Sequence, residues 1–505
     1  MNPATLEKIA KQTGIELVSG SESTTVTGLC DDSRLAKPGD LFFCVSGSKH
    51  DGTRFAKDAV ARGAVAVVSD RSEAIELGVP VLRTIDTRAT LARAVRLLHR
   101  ETLDRLRYVG VTGTNGKTTT THLIASVLRE AGSRTAIVGT LGTIKDDGSR
   151  VPSKNTTPGP LDLLRTISGL ASEGYKTLVM EVSSQAVVQR RAAFLPFSSA
   201  VWTNLSPEHF ELHGDIDTYR SIKVSFIEEC DRLAREEGRT THSSILNLKD
   251  PSSPRFLAAC RGRVHGFCLQ NKPTTPFQGT LVLGEEPSCD LSGGRMVISY
   301  EGRKIPVHVR LGGHFNLENA LAAASVGLSW GVDPAAIVSG LALVDKVPGR
   351  FQRIPSDKRR VLIDYAHTSE GLENLLVACR KMVRAEERLI VVFGCGGDRD
   401  NTKRPRMGRT ASQYADLCIV TNDNPRTEDP VRITTQILEG MTPEDRSKCL
   451  VEHDRRKAIG QALFEARPTD LVVVAGKGHE DYQLVGDQVL HFDDSEVVKE
   501  TLARL

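Results

Sequence analysis

The chain has 505 residues, 39% hydrophobic and 26% charged, with 66 basic against 63 acidic side chains; it is too long for one hydrophobic core and too evenly charged to suggest a nucleic-acid partner. Its ten cysteines stand singly, without a C-x-x-C pair, so they offer no zinc or disulfide framework and fit a reducing cytoplasm. No basic segment leads into an apolar run at the N-terminus, and no stretch approaches ~18 uninterrupted apolar residues, which argues against export and against a membrane span.

In chain order, residues 40–45 and 64–69 read as strands joined by a helix at 53–62, a small α/β unit. A helical stretch at 91–107 leads into an apolar strand at 107–111, then helical periodicity over 118–131 and a strand at 134–138. This strand-helix-strand alternation implies a parallel sheet. Between 262 and 312, β-rich runs at 296–300 and 305–311 alternate with Gly, Pro and Ser turns, which predicts an antiparallel appendage. Helices at 317–330 and 334–343 follow, and Val347-Pro348-Gly349-Arg350 breaks the pattern. Strands at 360–364, 388–393, 416–421 and 470–475 with helices between them predict a doubly wound sheet. The expected fold is therefore α/β with three domains: a small one at 1–100, a central phosphate-loop parallel sheet at 101–345, and a Rossmann-like domain at 346–505. The first boundary falls within 85–106 and the second near 345.

The clearest chemical signal is Gly113-Thr114-Asn115-Gly116-Lys117-Thr118-Thr119, which follows a strand and opens a helix. Glycines let backbone N–H groups curl around phosphate oxygens, the helix N-terminus adds positive potential, Lys117 supplies a point charge and Thr118 can ligate Mg²⁺. ATP or GTP is the expected ligand; the competing reading is a glycine-rich turn followed by a chance Lys-Thr pair. Val111 stands where the full Walker spacing has glycine, so the turn is assigned to Gly113 and Gly110. Glu181 ends the apolar run 177–180, where a carboxylate can reach a metal at the carboxyl edge of a parallel sheet. His209 follows another strand, at 200–204, and by itself reads as a loop histidine bonded to backbone. Lys223 lies in a helix-like stretch and by itself reads as solvated or salt-bridged.

The segment Gly113 to Thr118 resembles the phosphate loop of the Mur ligases, ATP-dependent enzymes that add amino acids to the peptidoglycan precursor. Further segments match in order: Asp32-Ser33-Arg34, Asn155-Thr156-Thr157-Pro158, Glu181-Val182-Ser183-Ser184, Asn204-Leu205-Ser206-Pro207-Glu208-His209 and Gly313-His314-Phe315-Asn316-Leu317-Glu318-Asn319. The last third adds Asp364-Tyr365-Ala366-His367-Thr368, Gly394 to Asp400, Asp423-Asn424-Pro425-Arg426 and Gly476-Lys477-Gly478-His479-Glu480. The resemblance covers essentially the whole chain and is nearest to the branch that adds the third amino acid, in its meso-diaminopimelate form.

The resemblance implies a UDP-binding first domain, an ATP-binding central domain and an amino-acid-binding third domain. ATP would sit on Gly113, Thr114, Asn115, Gly116, Lys117, Thr118 and Thr119, with Asn316 and Arg350 as further contacts. Mg²⁺ would be held by Thr118, Glu181, His209 and a carbamate on Lys223, and Lys117, Lys223, His209 and Glu181 would carry the chemistry. Ser33 with Ser48, Lys49 and His50 would hold the UDP portion of the UDP-muramoyl-dipeptide. Asn155, Thr156, Thr157, Ser183, Gln189 and Arg191 would lie along the rest of that substrate, although Thr156-Thr157-Pro158 could simply end a loop and Gln189 could belong to a solvated helix face.

For the amino acid, Arg399 and Arg426 offer guanidinium forks to carboxylates, and Asp423, Asn424, Pro425, Gly476 and Glu480 would complete the grip. Lysine lacks the distal carboxylate of meso-diaminopimelate, so Arg426 should favour the latter; alternatively Arg426 is a rim charge paired with Glu428 or Asp429. The expected reaction is carboxylate activation by phosphoryl transfer, followed by amine attack on an acyl-phosphate. Only small-molecule partners are expected, in a monomeric cytoplasmic enzyme. The alternatives are the same reaction with L-lysine, a sister ligase such as a folylpolyglutamate synthetase, and a phosphate-loop switch that hydrolyses nucleotide to control a partner.

Overall fold

The computed structural model describes residues 3–47, 51–71, 76–206, 214–273 and 275–505. Ser48, Lys49, His50, Glu208 and His209 lie outside the described residues. Three sheets organise the chain. The first has five strands in the order Glu16–Ser19, Val81–Arg83, Ala66–Ser69, Asp40–Phe43 and Gly28–Cys30, parallel except for the first. The central sheet has eleven strands, the third has six, and a hairpin, Tyr482–Val485 with Gln488–His491, is appended to the third. No helix among the described residues is long and apolar enough to cross a membrane.

Strand periodicity explains why each sheet is covered on both faces. In Leu471–Ala475, at the middle of the third sheet, Leu471, Val473 and Ala475 join one apolar cluster while Val472 and Val474 join another on the opposite face. Its neighbour Leu389–Phe393 splits in the same way. Such continuous apolar runs are the mark of a parallel strand packed under helices on both sides, and each buried Val or Leu contributes roughly 1.5–3 kcal/mol.

The central sheet corrects one expectation. Residues 262–312 form no appendage: Arg263–Leu269 pairs in parallel with Ser243–Asn247, and Thr280–Cys289 pairs in parallel with Arg263–Leu269. Only then does the sheet continue through the antiparallel strands Gly294–Tyr300 and Arg303–Val309. Hairpin turns are local and readable, whereas the edge onto which a hairpin adds is decided by packing. Here the Ala-rich helix His314–Ser329, buried along most of its length, lies against those strands and keeps them in register with the central sheet.

Gly110 is a second correction. It sits inside strand Arg107–Thr112, where a Cβ would fall 2.7 Å from both Phe197 and Phe226. It makes room for that edge-to-face ring pair, whose centroids are 5.4 Å apart, and takes no part in the phosphate turn. Gly113 and Gly116 make the turn, at φ of 147° and 84°.

Candidate active site

The phosphate loop lies between the end of Arg107–Thr112 and the start of helix Lys117–Glu130, whose N-terminus has no side-chain cap. Its first N–H groups are therefore left for an anion. Both glycines are required by space as well as by φ. A Cβ on Gly113 would lie 1.9 Å from Thr203 Oγ1, and one on Gly116 would lie 2.3 Å from Asn319 Oδ1.

The loop is braced from outside. Asn204 Oδ1 accepts from Asn115 N at 2.9 Å, its backbone carbonyl accepts from Thr114 N at 3.0 Å, and Thr203 Oγ1 donates to Asn115 O at 2.7 Å. Lys117 Nζ donates to the carbonyls of Gly113 and Thr114, both at 2.8 Å. Asn316 is buried with its amide committed, donating to Gly312 O at 2.7 Å and accepting from Asn319 Nδ2 at 3.0 Å. It thus supports the loop through Asn319.

Thr118, Glu181 and Lys223 converge on this loop. Glu181 closes strand Thr177–Glu181 at 1% exposure, and its carboxylate accepts from Thr140 N at 2.8 Å and Thr140 Oγ1 at 3.1 Å. A Cβ on Gly139 would sit 2.2 Å from Glu181 Oε1, so that glycine admits the carboxylate. Lys223, on helix Ile216–Glu236, is also 1% exposed; its Nζ donates to Gly113 O at 2.9 Å and lies 4.4 Å from the centre of the Tyr219 ring. A solvated lysine is therefore excluded. Among the described residues no three His, Cys, Asp or Glu side chains gather as a metal cluster; Thr118 and Glu181 both line the cavity over the loop.

A cavity of about 1180 Å³ opens over the loop, bounded on one side by Lys117, Thr118, Glu181, Asn155, Thr156, Ser183 and Arg191. Its other side belongs to the third domain, with Arg350, Asp364, Tyr365 and His367 and the face of helix Ser369–Arg380. Three expected substrate residues are not part of this lining. Thr157 is fully buried, and its hydroxyl donates to Glu181 O and accepts from Ser183 N. Gln189 Oε1 accepts from Arg191 Nε at 2.9 Å and from its terminal nitrogen at 2.7 Å, aiming that guanidinium rather than facing solvent. Ser33 is buried in the first domain, in the turn Ser33–Leu35 that Asp32 caps, apart from the cavity.

On the third-domain side, Arg350 lies over the Tyr365 ring at 4.7 Å, and Tyr365 packs against His367 and His479. Burial drives His479 down to about 3 and Tyr365 up to about 12, so both stay neutral near pH 7. Burial also raises the Asp364 carboxyl, against the pull of Arg350 and of backbone N–H groups of Phe351 and Ala366.

The residues expected to hold the amino acid form a second group in the third domain, outside the lining of that cavity. Arg426 adopts φ of 52°, and its guanidinium donates to Gly397 O at 2.9 Å and Asn424 O at 3.4 Å. It is no rim charge on Glu428: that carboxylate is taken by Arg404, at 2.7 and 2.8 Å, and is held down to about 2 by it. Arg399 is exposed beside Asp398. Asp423, Asn424 and Pro425 are buried, and Asn424 Nδ2 donates to Glu480 Oε2 at 2.9 Å. Gly476, at φ of 112°, turns the chain toward Glu480.

Two residues were not singled out from sequence. Arg404, with no exposed side-chain surface, ties the loop at Gly396 to the loop at Glu428; it sits in a basic stretch, Lys403-Arg404-Pro405-Arg406, where nothing marks which cation is buried. Thr140, which orients Glu181, carries no sequence signal at all.

A three-domain α/β protein with a phosphate loop, a buried carboxylate and lysine beside it, and a third domain facing the cavity is a nucleotide-dependent enzyme of the ligase type. Family models agree: "Mur ligase family, catalytic domain" matches residues 25–105, "Mur ligase middle domain" 111–327, and "Mur ligase, glutamate ligase domain" 349–478. The chain is 41% identical over 498 residues to UDP-N-acetylmuramoyl-L-alanyl-D-glutamate--2,6-diaminopimelate ligase of Syntrophomonas wolfei, covering 98% of this chain and 99% of the relative. It is 40% identical over 502 residues to the protein of that name from Gloeobacter violaceus, covering 99% and 98%. A solved structure of a protein of the same name superposes with TM-score 0.70 at 30% identity, over 100% of this chain and 99% of that one. The MurF ligase of Thermotoga maritima, solved in complex with ADP, shares the fold at TM-score 0.58 and 17% identity, over 95% and 97%. The chain belongs to the Mur ligase family.

Proposed function

We propose that this protein joins meso-2,6-diaminopimelate to UDP-N-acetylmuramoyl-L-alanyl-D-glutamate with consumption of ATP, a step of peptidoglycan precursor synthesis in the cytoplasm. The observation that carries the reading is end-to-end agreement, at 41% identity over 498 residues, with a relative of that name. The loop pair around Arg426 adds chemical support. Domains at 1–100, 101–345 and 346–505 take the UDP portion, ATP and the amino acid respectively.

Amide formation from a carboxylate needs an activated acyl group, and γ-phosphoryl transfer from ATP supplies it as an acyl-phosphate that an amine can attack. The uncapped N–H groups after Gly116 and the Lys117 ammonium cradle the phosphates. Thr118, Glu181, His209 and a carbamate on Lys223 would hold Mg²⁺, and the hard oxygens of Thr118 and Glu181 suit that ion. When bound, Mg²⁺ offsets the negative charge gathered between two anionic reactants. Carbamate formation takes the neutral amine of Lys223, which attacks CO₂; that side chain is buried beside the phosphate loop. Arg191, aimed by Gln189, pairs with a substrate carboxylate, and Asn155, Thr156 and Ser183 orient the sugar peptide.

Arg426 and Arg399 bind carboxylates of the incoming amino acid, and Glu480 with Asn424 binds its distal end. Closure of the third domain over the cavity excludes water from the acyl-phosphate. The direct test is product mass: UDP-muramoyl-tripeptide should form with ATP and meso-diaminopimelate together and be absent when either is omitted. ATP consumption without that product would reject the reading.

A further inference from the structure

Lys477 has no assigned task in the reaction above, yet it is a fully enclosed cation beside the expected amino-acid site. Its side chain is 0% exposed. Its Nζ lies 3.2 Å from Glu480 Oε2, 3.4 Å from Asn424 Oδ1 and 3.6 Å from Asp423 Oδ1, with the Tyr482 ring centre 5.5 Å away. Burying an ammonium is costly unless its charge is met by close oxygens. Here those oxygens come from two loops, residues 423–424 and 476–480, that are more than forty positions apart in sequence.

The arrangement fixes two side chains at once. Asn424 Oδ1 accepts from Leu484 N at 2.9 Å and from Lys477, so its Nδ2 must point the other way, where it donates to Glu480 Oε2 at 2.9 Å. Glu480 Oε2 is therefore committed to Lys477 and Asn424, while Oε1 makes no hydrogen bond among the described residues. Lys477 thus lies within 4 Å of two carboxylates, Asp423 and Glu480.

We propose that Lys477 is a positioning residue: it fixes the orientation of the Glu480 carboxylate and presents Oε1 to the distal ammonium of the incoming amino acid. It touches no substrate itself, and the proposal rests on the functional reading above. It predicts an effect confined to the amino acid. Loss of one charge-assisted hydrogen bond corresponds to roughly 10–100-fold in affinity.

The test is steady-state kinetics of Lys477→Met, Glu480→Gln and the double variant, after nucleotide binding has verified folding. Lys477→Met should raise KM for meso-diaminopimelate roughly 10–100-fold while leaving KM for ATP unchanged. In the Glu480→Gln background the same replacement should add only about threefold or less, because both act through one carboxylate. Unchanged diaminopimelate KM in Lys477→Met, equal losses toward ATP, or effects that multiply independently would each overturn the proposal. If Lys477→Met does not fold, Lys477→Gln, which removes the charge and keeps a polar group, carries the same expectation. Failure of both to fold would assign Lys477 to stability and overturn the positioning role. Wild-type protein that forms no product with diaminopimelate would refute the functional reading, and this inference with it.

Discussion

Replacing Arg404 with methionine should loosen the amino-acid site without touching the phosphate loop. The guanidinium makes two contacts to Glu428, at 2.7 and 2.8 Å, one to Gln436 Oε1 at 2.7 Å and one to Gly396 O at 3.0 Å. Glu428 in turn accepts from Asp398 N at 3.1 Å, and Asp398 accepts from Thr427 N and Oγ1 at 3.0 and 2.9 Å. One buried cation thus fastens the loop that carries Arg399 to the loop that carries Arg426. Removing one partner of a buried pair costs ~3–5 kcal/mol. Glu428 retains 17% exposure and can regain water, which brings the expected loss to about 2–3 kcal/mol. Urea denaturation followed by far-UV circular dichroism should show the third-domain transition moved to lower urea, and Arg404→Met/Glu428→Gln should recover part of it by removing the stranded carboxylate. KM for diaminopimelate should rise and KM for ATP should not. A variant within about 0.5 kcal/mol of wild type, or one impaired toward ATP alone, would refute this reasoning.

Gly116→Ala places a Cβ 2.3 Å from Asn319 Oδ1 at a φ of 84°; calorimetric titration with ADP should show affinity reduced by roughly tenfold or more, and unchanged affinity would contradict the cradle geometry. Asp31, mostly buried, is raised from 3.8 to about 6, first by burial and then by Asp162, against Arg165. Its contribution to stability is fully present below its unfolded value and is lost as pH rises through about 6. Asp31→Asn should therefore stabilise the protein above that pH by at most about 3 kcal/mol and bring nothing below pH 4; a stability gain that does not depend on pH would refute the assignment. Arg426→Lys keeps the charge but not the fork, so KM for diaminopimelate should rise by about tenfold with ATP kinetics unaltered, and wild-type values would reject its role.

The parallel sheets were legible because runs such as Leu471–Ala475 are apolar at every position, a pattern that only a strand covered on both faces requires. The phosphate turn was legible because Gly113 and Gly116 serve a backbone need that no other residue meets. Gly110 was misassigned for a related reason: sequence does not distinguish a glycine that turns the chain from one that makes room for Phe197 and Phe226. The place of residues 262–312 was also hidden, since hairpin signals are local while the edge that receives a hairpin is decided by packing against the helix that follows, His314–Ser329. Buried cations were the largest gap. Lys223, Arg404 and Lys477 stand among ordinary polar neighbours, and only the fold shows that water has been taken from them.

The central claim is that nucleotide turnover here is coupled to amide formation with one particular amino acid. ADP release by the purified protein with Mg²⁺-ATP and UDP-N-acetylmuramoyl-L-alanyl-D-glutamate, measured with meso-diaminopimelate, with L-lysine and with no amino acid, tests it most directly. The account predicts release with diaminopimelate, matched mole for mole by tripeptide, and little with lysine or without amino acid. Equal release with lysine would contradict the specificity assigned to Arg426, and release in all three with no amide formed would contradict the ligase reading itself.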